Sequence, residues 1–68
     1  MRDWLIAKRN KKGFKQKYVA EQVGISQPAY CEIESGRKSP RPETAKKIAA
    51  VLGFDWTKFF EDEQKEAL

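Results

Sequence analysis

Residues 16–35 read QKYVAEQVGISQPAYCEIES, and the spacing of their apolar side chains predicts two short helices broken at Gly24. Val19, Ala20 and Val23 lie on one face of the first half, and Ile25, Tyr30 and Ile33 on one face of the second, so each half has one side to bury. Ala20 is small where the second helix must cross the first. Gly24 accepts the left-handed conformation that ends a helix, and Ser26 suits the cap of the next one. Two amphipathic helices therefore meet at a sharp corner, with Ala20 and Gly24 expected to be buried in it.

The same stretch resembles the Cro/lambda-repressor type of helix-turn-helix, the xenobiotic-response-element family of small bacterial and phage regulators. The likeness rests on QKYVAEQVGIS (16–26) and EIESGRKSP (32–40). There the family shows Gln, three residues, Ala, three residues, Gly, an aliphatic and Ser, and later an Ile-Glu-Asn-Gly-Lys-like run followed by Pro. It extends from about Leu5 to Phe60. The combined spacing is specific, whereas Ala-x3-Gly alone is weak. The resemblance implies an all-α fold, a compact five-helix lambda-repressor-like domain with the helix-turn-helix at helices 2 and 3. It also implies a sequence-specific regulator of transcription, a repressor, that binds a double-stranded DNA operator as a homodimer, formed either free or only on DNA.

Composition sets bounds that agree with this. A chain of 68 residues has room for one domain, expected over 1–64 with a frayed tail at 65–68. One cysteine and no histidine exclude an intramolecular disulfide and a structural zinc site, so no metal is expected and self-association is the remaining means of reinforcing a small core. No apolar run reaches the roughly 18 residues of a membrane span, and the first twelve residues lack the apolar core of a signal peptide. A soluble, cytoplasmic protein is expected, with Cys31 reduced. Residues 1–54 carry twelve Lys/Arg against five Asp/Glu, while residues 55–68 carry two against five. The basic part holds the helix-turn-helix, and such an excess supplies sequence-independent attraction to phosphate, although a solvated lysine-rich surface has the same composition.

In chain order, a first helix is expected from Asp3 to Lys12, with Asp3 as its cap and Gly13 as its terminator. Trp4 and Leu5 face inward, with either Ala7 or the aliphatic stem of Lys8 completing the face. The second helix begins at Lys15 or Gln16, where Lys15 replaces the family's Ser or Thr cap. The third runs from Ser26 to Glu34, with Ile25 and Tyr30 as a hydrophobic staple and the Tyr30 hydroxyl reaching the domain edge. Pro42 opens the fourth helix, whose inner residues are Ala45, Ile48, Ala49 and Leu52 and whose end is Gly53. Asp55 caps a fifth, from Trp56 to about Gln64, where Trp56, Phe59 and Phe60 form either a core lid or a dimer surface.

Site residues follow from the resemblance, position by position. Gln27, Pro28 and Glu32 correspond to positions that face base edges, and Gln16, Lys17, Ser26, Ser35, Arg37, Lys38 and Arg41 to positions that face phosphate. The chemistry is compatible: Gln pairs bidentately with adenine, a proline ring touches the thymine methyl, and Glu accepts from the cytosine amino group. Glu32 can equally be solvated or ion-paired. Arg9 and Glu34 match a structural ion pair between helices 1 and 3.

Enzymatic constellations are missing. There is no histidine, no Gly-rich phosphate loop and no carboxylate pair in a plausible pocket, so catalysis, a cofactor and a small-molecule ligand are not expected. Cys31 falls on the groove-facing side of helix 3, but it has no resolving cysteine and acidic neighbours disfavour its thiolate. The alternative to DNA binding is a protein-interaction module of the same fold, such as an antitoxin or anti-regulator. Against it stands helix 3, whose outer face lacks the Leu, Trp or Phe anchors typical of a protein-binding helix.

Overall fold

The computed structural model of the chain describes residues 1–61, which form helices and connecting turns with no strand among them. Four helices, α1 (Asp3–Lys12), α2 (Gln16–Val23), α3 (Gln27–Ser35) and α4 (Pro42–Leu52), are followed by a fifth, α5, described over 58–61. Each of α1 to α4 ends at a glycine in the left-handed region, from Gly13 to Gly53. No side chain occupies that conformation cheaply.

The core draws at least one residue from every helix. Leu5, Val19, Ala20, Val23, Tyr30, Ile33, Ala45, Ile48, Leu52 and Phe59 form one cluster, against which Trp4, Phe14, Ile25 and Phe54 pack. Leu5 and Ile48 are fully buried, each contributing roughly 2 kcal/mol of apolar transfer. Helix α2 lies against both α3 and α4. Ala20 is only 1% exposed, which lets the helices approach closely.

Several details differ from the sequence-based expectations. Gly24 is exposed, and a Cβ there would meet nothing within 4 Å. Its φ of 86° makes it the hinge of the corner and not a packed residue. Asp3 is the first helical residue and not the cap. The cap position is Arg2, which has no capping side-chain bond and is itself 2% exposed. On α1 the stem of Lys8 is half-buried, with its Nζ 5.7 Å from the Phe54 ring centroid, and Ala7 is exposed. Tyr30 is fully buried, so its hydroxyl does not reach the domain edge.

The C-terminal segment also differs. Asp55 Oδ1 accepts a hydrogen bond from the Thr57 N–H at 3.0 Å, which holds the Asp55 carboxyl below its ordinary pKa. Trp56 and Thr57 form a turn tightened by bonds from Lys58 N–H to Asp55 O and from Phe59 N–H to Trp56 O, and α5 begins only at Lys58. Phe59 consequently points inward and is 3% exposed, packed on Trp4 at 5.1 Å between centroids, so it belongs to the core and not to a dimer surface. Phe60 is 46% exposed and stacks edge-on against half-buried Trp56. The expected end at Gln64 and the tail at 65–68 lie outside the described residues.

Candidate nucleic-acid interface

Helix α3 is prepared at its first turn. The Ser26 hydroxyl accepts from Ala29 N–H at 3.2 Å, and Pro28 sits where no intrahelical N–H bond is lost. With Tyr30, Ile33 and Glu34 buried, the outer face consists of Gln27, Pro28 and Cys31, all exposed, followed by half-buried Glu32 and Ser35. These side chains are short or slender. They leave the helix free to approach a groove about 12 Å wide.

Beyond Gly36 the chain carries Arg37, Lys38 and Arg41, all exposed, on a segment stiffened by Pro40 and Pro42. Arg37 N–H and Lys38 N–H both donate to Glu32 O, at 3.0 and 3.3 Å, so the loop wraps back over the last turn of α3. Ser35 Oγ donates to the same carbonyl at 3.0 Å. The Lys38 ammonium also meets the Glu32 carboxylate at 3.1 Å. Glu32 therefore has a cationic partner in the free protein, although an exposed pair of this kind contributes only about 0–1 kcal/mol. Arg41 stands at the start of α4 without capping it.

No side chain caps α2, and its start carries exposed Lys15 and Lys17. Free helix-start N–H groups favour an anion. Gln16 has a second engagement that its sequence position did not reveal. Its Nε2 donates to Glu34 Oε1 at 3.0 Å, drawing the side chain inward.

Glu34 is the centre of a network. Arg9 Nε donates to Glu34 Oε2 at 2.7 Å and Arg9 Nη2 to Oε1 at 3.3 Å, a two-pronged pair joining α1 to α3, while Arg9 Nη1 reaches Phe14 O. Burial pushes the Glu34 carboxyl up, but the bonds from Arg9 and Gln16 outweigh it and hold the group below its ordinary value. Arg9 is correspondingly held more basic by Glu34. Tyr30, sealed beside them, has its ionisation raised far beyond the usual range by burial and by the negative charge of Glu34.

Arg2 is the residue that sequence reasoning missed. Its backbone N–H donates to Glu34 O at 2.8 Å, and Nη1 donates to Ile33 O at 2.7 Å and to Lys38 O at 3.2 Å. Those acceptors lie more than thirty residues away, and no spacing rule signals them.

Among the described residues no cluster of His, Cys, Asp or Glu is able to hold a metal, and no helix is long and apolar enough to cross a membrane. Trp56 and Phe60 line a mostly apolar cleft with Ser39 and Pro40 of the basic segment and Pro42 of α4.

A helix-turn-helix family model matches residues 5–59. The chain is 48% identical over 62 residues to the uncharacterized HTH-type transcriptional regulator YqaF of Bacillus subtilis (strain 168), covering 91% of this chain and 82% of that protein. It is also 39% identical over 49 residues to an uncharacterized HTH-type transcriptional regulator of Haemophilus influenzae, covering 72% of this chain and half of that protein. No solved structure matches. With its two-helix corner, capped α3 and basic loop inside the matched span, the chain belongs to the Cro/lambda-repressor type of helix-turn-helix proteins, a non-enzymatic DNA-binding family.

Proposed function

We propose that the protein is a sequence-specific regulator of transcription that inserts α3 into the major groove of a double-stranded operator and acts as a repressor by occupying it. The observation that carries this reading is the arrangement around α3. A helix face of Gln27, Pro28 and Cys31, free of bulk, is accompanied by the uncapped start of α2, joined to α3 through Gln16 and Glu34, and by the loop bearing Arg37, Lys38 and Arg41, folded on the last turn of α3. Phosphate contacts fix a helix in register, and the side chains on its outer face read the bases. The names of the two relatives support a role in transcription.

Exposed Phe60, stacked on half-buried Trp56, supports a homodimer. Two copies related by a two-fold axis present their α3 helices about 34 Å apart, one turn of DNA. The reading is tested by selecting duplexes from a random pool by gel shift and titrating the selected sequence against a scrambled one over a salt series. A selected two-fold-symmetric site, bound at least ~1000-fold more tightly than the scrambled duplex, is the expected result. Equal binding of both duplexes at every salt concentration sinks it.

A further inference from the structure

Resting on that reading, the geometry points to Arg2 as a positioning residue for DNA binding, one that holds the phosphate-gripping loop in place without touching DNA. The last carbonyls of a helix lack intrahelical partners and carry the negative end of its dipole. At α3 two of them are taken by Arg2, Glu34 O by its backbone and Ile33 O by its guanidinium, and the same Nη1 then spans to Lys38 O in the loop. One buried fork thus ties the end of the reading helix to the backbone that carries Lys38 and, next to it, Arg37. Behind the fork stands the Phe59 ring, 5.7 Å from Cζ, so the guanidinium is packed as well as bonded.

Arg2 is 2% exposed and does not itself neutralise a phosphate, whereas Arg37 and Lys38 are exposed cations on a loop of six residues between α3 and α4. Without the fork, the loop loses the bond at Lys38 O and is held to α3 by its amide bonds to Glu32 O, which then open more often. Ordering the cation beside the fork when DNA arrives then costs about as much as one exposed phosphate contact returns, so that the Arg37 contact is lost, whereas the wild-type chain has met that cost already.

The experiment compares the wild-type chain with Arg2→Met, Arg37→Ala and the double variant. Each is titrated against the selected and the scrambled duplex over a salt series, at a temperature where circular dichroism shows it folded. Losing one phosphate contact weakens binding about eight-fold at 0.1 M salt and lowers the salt slope by about one. Arg2→Met is expected to weaken both duplexes by such a factor with their ratio unchanged. Arg37→Ala should add little in that background, and amide exchange at Arg37 and Lys38 should accelerate in the free protein. A purely structural role would leave the slope of the folded variant untouched. If Arg2→Met does not fold, Arg2→Lys, which keeps the charge and loses the fork, is read in its place. A folded variant with wild-type affinity, slope and exchange overturns the inference, as does a changed duplex ratio with an intact slope. A wild-type chain that binds no duplex overturns the functional reading itself, a result distinct from both.

Discussion

Gln16 Nε2 lies 3.0 Å from Glu34 Oε1, which joins the first turn of α2 to the last turn of α3 through a carboxylate that Arg9 already holds from α1. Both ends of the helix-turn-helix are thereby referenced to one charge. A hydrogen bond to an ionised, poorly solvated acceptor contributes more than a neutral one, so Gln16→Ala is expected to destabilise the fold by about 1–2 kcal/mol. It should also weaken DNA binding beyond what that loss of folded protein explains. Denaturant unfolding alongside duplex titration checks both, and a variant as stable as wild type would show the bond to be idle.

The same carboxylate makes acid stability predictable. Glu34 is held below its ordinary value of 4.5 in the folded state, so the unfolded chain takes up protons first as pH falls. Its contribution is complete above about pH 4.5 and is lost as pH drops through the lower folded value. Asp55, held low by the Thr57 N–H, loses its contribution at lower pH, below about 3.8. Carbon-detected NMR titration should place the Glu34 midpoint below 4.5, and a midpoint above that value would mean that burial outweighs the Arg9 and Gln16 bonds.

Ala20, at 1% exposure, leaves no space for a larger side chain where α2 crosses α3. Ala20→Leu is expected to cost on the order of 1–3 kcal/mol by overpacking. Thermal unfolding of the variant measures it. An unchanged transition would place the helix crossing elsewhere.

Phe60 is the exposed member of the C-terminal aromatic pair, so Phe60→Ser removes apolar surface without opening the core. Monomer stability should change by less than about 0.5 kcal/mol. Cooperative binding to an operator with two half-sites should fall at least ten-fold, with binding to an isolated half-site unaffected. If both sites respond equally, or neither does, the dimer surface is not there.

How much of this was legible depends on the range of the interaction. The α2–α3 corner, the four buried positions of α4 and the helix ends at Gly53 and Pro42 are local patterns, repeated every three or four residues, and periodicity finds them. The aromatic run failed locally for a definite reason. Trp56, Phe59 and Phe60 share a face only in a helix that has already begun at Trp56, and the turn at 56–57 instead sends Phe59 inward while leaving Phe60 outside. A tyrosine hydroxyl ordinarily seeks water, which points Tyr30 to the edge, yet the site beside Arg9 and Glu34 is sealed. Arg2 was one of fourteen Lys/Arg residues, and its three acceptors are backbone atoms brought near only by the completed fold.

Positioning and reading contacts separate by their response to salt and to sequence. Gln27 is exposed on the first turn of α3, where a carboxamide can bond bidentately to an adenine edge, while Arg37 is exposed on the loop, and in the proposed reading it meets phosphate. Gln27→Ala is therefore expected to cost roughly 1–3 kcal/mol at one base step and to flatten the preference there, leaving the salt slope as it was. Arg37→Ala should weaken every sequence alike and lower the slope by about one. Glu32 is an intermediate case, because its carboxylate must leave Lys38, 3.1 Å away, before it accepts from a cytosine amino group. Glu32→Gln then frees Lys38 for phosphate, and the slope should rise while preference at one position declines. Titration of all three variants against the selected and scrambled duplexes distinguishes these outcomes. Equal losses on both duplexes for Gln27→Ala, or a shifted base preference with an intact slope for Arg37→Ala, would mean that α3 does not read DNA in this orientation.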